Sequence, residues 1–162
     1  MYKFLTSIVF LCTTNCLADT QKILMKFNEP YSAQVGGGYH RGIDIEVPIG
    51  TIVQSVADGK VTFTRTLDIS PRSAPVVVID HGNGISSYYH HINDVTVNVG
   101  DTVKQGQKIA VTALTGAAGI NTSIPVSIPH LHLSVSAGGI FVDPLSFNLK
   151  CSNSKFIWPI MC

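Results

Sequence analysis

The feature that most limits the fold of this chain is a rhythm of short β-branched runs broken by glycine. Strand-sized runs follow one another: "GIDIEV", "GTIVQSV", "GKVTFTRT", "PVVVID", "GISSYYHHI", "VTVNVGDTV", "QKIAVTAL", "HLHLSV" and "IFVDPL". Between them lie residues that favour tight turns: Asp58-Gly59, Gly82-Asn83-Gly84, Gly100-Asp101, Gly106 and Gly138-Gly139. "HGNG", between "VVVID" and "ISSYYHH", is the clearest hairpin. Helical periodicity is almost absent after the first residues. The pattern predicts an all-β fold, a curled antiparallel sheet or sandwich. A length of 162 residues points to one domain, and 45% hydrophobic content is enough for a core.

Charge narrows the partners. Only 13% of residues are charged and the formal net charge is +1, so long-range attraction to nucleic acid or an anionic membrane is not expected. The N-terminus "MYKFLTSIVFLCTTNCLADT" has one lysine, a short apolar run from Phe4 to Cys12, and Cys16-Leu17-Ala18. This is the order of a secretory signal, with a cut expected after Ala18 and a mature protein in the periplasm or outside the cell. The apolar run is too short for a permanent membrane span. Residues 19–38 read as a lead-in to a domain over 39–149. In an exported chain Cys151 and Cys162 form an even pair, which predicts a disulfide closing a tail over 150–162. Nothing points beyond a monomer.

The six histidines are unevenly placed. In "GYHRGIDI", His40 and Asp44 are four apart and share one face of a strand. An imidazole and a carboxylate on one face suit zinc, which takes nitrogen and oxygen donors in a tetrahedral site. In "IPHLHLSV", His130 and His132 share a face, so both could bind one metal, or one could bind while the other faces substrate. Three protein ligands with an open fourth position is the arrangement of a catalytic zinc. In "YYHHI", His90 and His91 are adjacent, so strand alternation sends them to opposite faces, and parity leaves open which one faces a cleft. "LTGAAGINTSIPVSIP", Leu114 to Pro129, reads as a long loop before the histidine pair.

Four blocks in order resemble the M23 peptidases, the LytM-type, lysostaphin-like zinc endopeptidases of peptidoglycan. "HRGIDIEVPIGTIVQSVADGKV" is similar to the family's H-x-x-x-D block with its following G-T-x-V and D-G-x-V. "VVVIDHGNGISSYYHHI" is similar to the block ending in Y-x-H, "VGDTVKQGQKIA" to V-G-D-x-V-x-x-G-Q, and "PHLHLSV" to the H-x-H block. The resemblance covers roughly Tyr39 to Pro144. It implies the LytM-type β-fold, one zinc ion held by His40, Asp44 and His132, and a catalytic pair of His130 and His91, with Tyr89 as the tyrosine of Y-x-H. His90 stands where the family usually carries a small or apolar residue and is assigned to the opposite face. His81 reads as structural or exposed. The implied substrate is a peptide stem or cross-link of peptidoglycan, in a groove with tyrosines such as Tyr39 and Tyr89.

Two alternatives stand beside this reading. Relatives that have lost the metal ligands serve as activators of cell-wall amidases, but this chain keeps all three. "VTVNVGDTVKQGQKIAV" also resembles the turn of lipoyl- and biotinyl-type carrier domains, yet no lysine here sits in such a hairpin motif.

Overall fold

The structure, a computed structural model, describes residues 22–31, 37–66, 75–115 and 128–147. The expected signal segment, all four cysteines with the Cys151–Cys162 pairing, and most of the Leu114–Pro129 loop lie outside them.

Eleven strands account for about half of the described residues: β1 (Ile23–Met25), β2 (Ile43–Glu46), β3 (Ile52–Gln54), β4 (Gly59–Arg65), β5 (Val76–Gly82), β6 (Ile85–His90), β7 (Ile92–Asn93), β8 (Thr102–Val103), β9 (Lys108–Thr112), β10 (His130–Ala137) and β11 (Ile140–Val142). A 3-10 turn, Pro144–Ser146, follows them. Among the described residues no helix is long and apolar enough to cross a membrane. The all-β reading holds.

The strands form two antiparallel sheets. The larger has eight strands in the order β1-β2-β10-β6-β5-β4-β8, with β11 also paired to β10. The smaller runs β3-β9-β7. β2 pairs with Leu133 and the residues before it on β10, while β11 pairs with Val135 and those after it. The "HGNG" hairpin joins β5 to β6, with Asn83 at φ 53° and Gly84 at φ 74°. Positive φ at both central residues is the geometry of the tight turns that match strand twist. β1 lies within the segment read as a lead-in, and it adds an edge strand to β2.

Strand alternation divides the larger sheet into two faces. Ile43 and Ile45 of β2, Val77 and Ile79 of β5, Tyr89 of β6 and Leu133 of β10 face the core, where they join Val53, Ile92, Ile109 and Ala110 from the smaller sheet. Covering this apolar area is the main stabilising contribution, at about 25 cal/mol per Å² removed from water. Asp44 and His132 are direct register partners, and so are His132 and His90. These three therefore stand in one row across the opposite face.

A polar thread runs through the core. His81 Nδ1 donates to the Asp58 carbonyl at 2.9 Å, and its Nε2 lies 2.7 Å from Ser87 Oγ. Ser87 Oγ lies 3.1 Å from the Tyr89 hydroxyl, which accepts the Val56 N–H at 2.9 Å. The thread satisfies buried groups that would otherwise be costly, and it makes His81 structural. Tyr89 is only 1% exposed, so it belongs to the core and cannot line a groove, contrary to the sequence expectation. Tyr39 is 63% exposed.

Candidate metal centre

His40 approaches the sheet from a loop. A bridge between Pro30 and Tyr39 and two backbone bonds, Asn28 N–H to the His40 carbonyl and His40 N–H to the Glu29 carbonyl, tie that loop to the segment after β1. The chain then passes Gly42 into β2. A Cβ at Gly42 would collide with the Leu133 carbonyl and lie 2.7 Å from Ser134 Oγ and 2.9 Å from His132 Nε2. Only glycine lets the His40–Asp44 segment lie this close to β10.

Three ligand atoms converge there. His40 Nε2 lies 3.1 Å from Asp44 Oδ1 and 2.9 Å from His132 Nδ1, and His132 Nδ1 lies 2.8 Å from Asp44 Oδ1. The outward nitrogens are already committed. His40 Nδ1 donates to the Lys26 carbonyl at 2.9 Å, and His132 Nε2 meets Ser134 Oγ at 2.8 Å. With those nitrogens carrying the hydrogens, the two inward nitrogens present lone pairs beside a carboxylate oxygen. Three lone pairs held together repel one another unless a proton or cation lies among them. Two imidazole nitrogens and one carboxylate oxygen, all within 4.8 Å of one another, are a donor set that could hold a metal ion and that suits zinc.

The electrostatics agree. Burial pushes the Asp44 carboxyl up, but when a proton rather than a cation lies among the three atoms, the protonated rings of His132 and His40 donate to it and outweigh burial, holding the group well below the usual carboxylate range. Burial pushes His40 down, yet the bond to Asp44 and its charge pull the imidazole above its ordinary value.

Two further imidazoles border the cluster. His130, 4% exposed, donates from Nδ1 to the Ile128 carbonyl at 2.9 Å, and its Nε2 lies 3.9 Å from Asp44 Oδ2. His91 donates from Nδ1 to the Thr115 carbonyl at 2.7 Å, and its ring centroid lies 4.6 Å from that of His130. In both rings a carbonyl takes the Nδ1 hydrogen and leaves Nε2 with a lone pair. Burial, with the neighbouring His130 and His132 adding to it, pushes the His91 pKa down to about 4, so the ring is neutral at pH 7.

His90 also faces the cluster, which corrects its assignment to the opposite face. It is the register partner of His132, and the two ring centroids are 5.4 Å apart. His91 reaches the same site because alternation stops there. β6 ends at His90, His91 takes φ 59°, and the chain turns into β7 of the other sheet. Burial pushes His90 down to about 4, so it too stays uncharged at neutral pH. Ser134, which orients His132, and Gly42 are the site residues that sequence reasoning missed. Ser134 lies two residues past His132, on the same face by strand parity, and that parity was its available signal.

Comparison with known proteins bears on this geometry. The sequence profile of peptidase family M23 matches residues 38–144. Peptidoglycan DD-endopeptidase ShyA of Vibrio cholerae is 34% identical over 115 residues, 71% of this chain and 24% of that protein. The chain thus spans about a quarter of the length of the first such relatives. A zinc-containing peptidase from Vibrio cholerae superposes with a TM-score of 0.62 at 34% identity, over 76% of this chain and 35% of that one. The catalytic domain of lysostaphin from Staphylococcus simulans gives a TM-score of 0.63 at 26% identity, over 80% of this chain and 92% of that one. The fold, the ordered blocks and the profile match agree: this chain belongs to peptidase family M23.

Proposed function

We propose that this chain is an exported zinc-dependent endopeptidase that hydrolyses peptide bonds in the stems or cross-links of peptidoglycan. The observation that carries this reading is the convergence of His40 Nε2, Asp44 Oδ1 and His132 Nδ1 beside two imidazoles that share an Nδ1-anchored geometry. ShyA and its relatives, named as peptidoglycan endopeptidases, supply the substrate class. The N-terminal signal pattern supplies the compartment.

His40, Asp44 and His132 would hold the ion. Zinc bound there supplies Lewis acidity, lowering the pKa of a water to about 7 and polarising an amide carbonyl. His130 or His91 accepts the proton of the attacking water at Nε2. As the water oxygen adds to the carbonyl carbon, the imidazole that took the proton donates from its new Nε2–H to the developing oxyanion. The accepted proton then passes to the leaving amine as the C–N bond breaks. Lys26 and Ser134 hold the ligand imidazoles in the tautomers that face inward.

The experiment is a pair of variants. His132→Ala should lose both zinc and activity. His91→Ala should keep zinc and lose activity. Full activity in both would end the proposal.

A further inference from the structure

The site face continues beyond the metal cluster. Past His132, β10 presents Ser134 and Ser136, with Tyr88 of β6 opposite Ser134 and Phe141 of β11 opposite Ser136. Tyr88 and Phe141 pack with ring centroids 5.3 Å apart, and the Tyr88 hydroxyl lies 3.3 Å from Ser136 Oγ. Arg41 arrives from the other side. It directly follows His40, at the junction where β2 stops pairing with β10 and β11 takes over. Its guanidinium carbon lies 5.8 Å from the Phe141 ring centroid. Arg41 is exposed, and among the described residues no carboxylate pairs with it.

A guanidinium held over an aromatic face gains cation–π attraction and loses side-chain freedom in advance. Its N–H edges stay available, and they match the two oxygens of a carboxylate. Ser136 stands four residues past His132, about 13 Å along a strand. A substrate peptide extended along β10 would bring a group roughly two to four residues from its scissile bond to this point.

The geometry points to a substrate subsite. Arg41, held over Phe141 and backed by Tyr88, binds a carboxylate carried by the peptide substrate a few residues from the bond that is cut. This rests on the peptidase reading, and it adds that the preferred substrates are anionic at that position.

The test uses two cross-linked peptide dimers, identical except that the carboxylates flanking the cross-link are free in one and amidated in the other. The zinc-loaded chain should cut the free-carboxylate dimer with a kcat/KM about tenfold higher, as a bidentate, partly shielded charge pair allows. Arg41→Ala should bring that ratio close to one, through KM rather than kcat, with zinc content unchanged. Phe141→Leu should lower the ratio as well, because the guanidinium loses its platform. A wild-type ratio near one, an unchanged ratio in Arg41→Ala, or an equal loss on both dimers would overturn the subsite. Calorimetric binding of both dimers separates the two claims. If neither is cut but the free-carboxylate dimer binds more tightly in an Arg41-dependent way, the peptidase reading fails and the subsite stands. If neither is cut and binding shows no such difference, both fail.

Discussion

Ser134 Oγ lies 2.8 Å from His132 Nε2, and this contact decides which nitrogen of His132 faces Asp44 and His40. Ser134 is 3% exposed, so water offers no ready substitute for its hydroxyl. Partners of this kind typically change metal affinity by about 10–100-fold when removed. Ser134→Ala should weaken zinc binding by that amount in a chelator competition, and Ser134→Thr, which restores the hydroxyl, should recover much of it. Equal affinity in Ser134→Ala would show that His132 needs no such partner.

Gly42 is required for a different reason. An added methyl would meet the Leu133 backbone carbonyl, which cannot swing aside as a side chain can, and would press on Ser134 and His132. Overpacking of this kind costs about 1–3 kcal/mol. Gly42→Ala should lower stability in denaturant unfolding by that amount and reduce zinc stoichiometry, because the strand carrying Asp44 must move away from β10. A variant with full zinc and unchanged stability would contradict the close approach.

The histidine doublet predicts a contrast. His91 is anchored on the Thr115 carbonyl beside His130, whereas His90 meets the cluster through its ring contact with His132. His91→Ala should retain zinc and lose activity by about 10²–10⁴-fold, the usual weight of acid–base assistance. His90→Leu should retain zinc, with a much smaller loss of activity. Assays of zinc content and peptide cleavage on both variants decide it, and the reverse order of losses would exchange their roles.

The core thread sets a pH dependence. Burial pushes the His81 pKa below its ordinary value of 6.5, against the pull of the Asp58 carbonyl and the Asp80 charge. The unfolded chain then takes up a proton more readily than the folded one. Stability from neutral His81 is therefore complete above about pH 6.5 and declines as pH falls from there towards the lowered folded-state pKa. Thermal unfolding of the wild type and His81→Gln should show a difference in Tm that narrows on acidification through this window. A constant difference would mean that His81 does not titrate abnormally.

Much of this architecture was legible in the sequence, and the failures share a cause. β-branched runs and glycine turns marked the strands because both are local properties of the chain. His130 and His132 were legible because strand parity is reliable within a strand, whereas His40 reaches Asp44 of β2 from a loop, not from the shared strand face expected, and its place beside Asp44 was legible through the H-x-x-x-D resemblance. Parity failed at His90 and His91, where the strand ends and positive φ at His91 redirects the chain into a second sheet. Tyr89 was misplaced because an aromatic in a polar stretch looks exposed, whereas its hydroxyl is satisfied inside the core by Val56 and Ser87. The need for glycine at position 42 depends on how closely β2 approaches β10, a tertiary distance that no local pattern encodes.

The central claim is that the convergence of His40, Asp44 and His132 serves peptide hydrolysis in peptidoglycan. Its most direct test is digestion of purified, cross-linked peptidoglycan by the zinc-loaded chain, with and without chelator, and with products read by mass spectrometry. The account predicts chelator-sensitive loss of cross-linked dimers and fragment masses that correspond to hydrolysis of one peptide bond. Intact dimers after incubation with protein shown to hold zinc would contradict it.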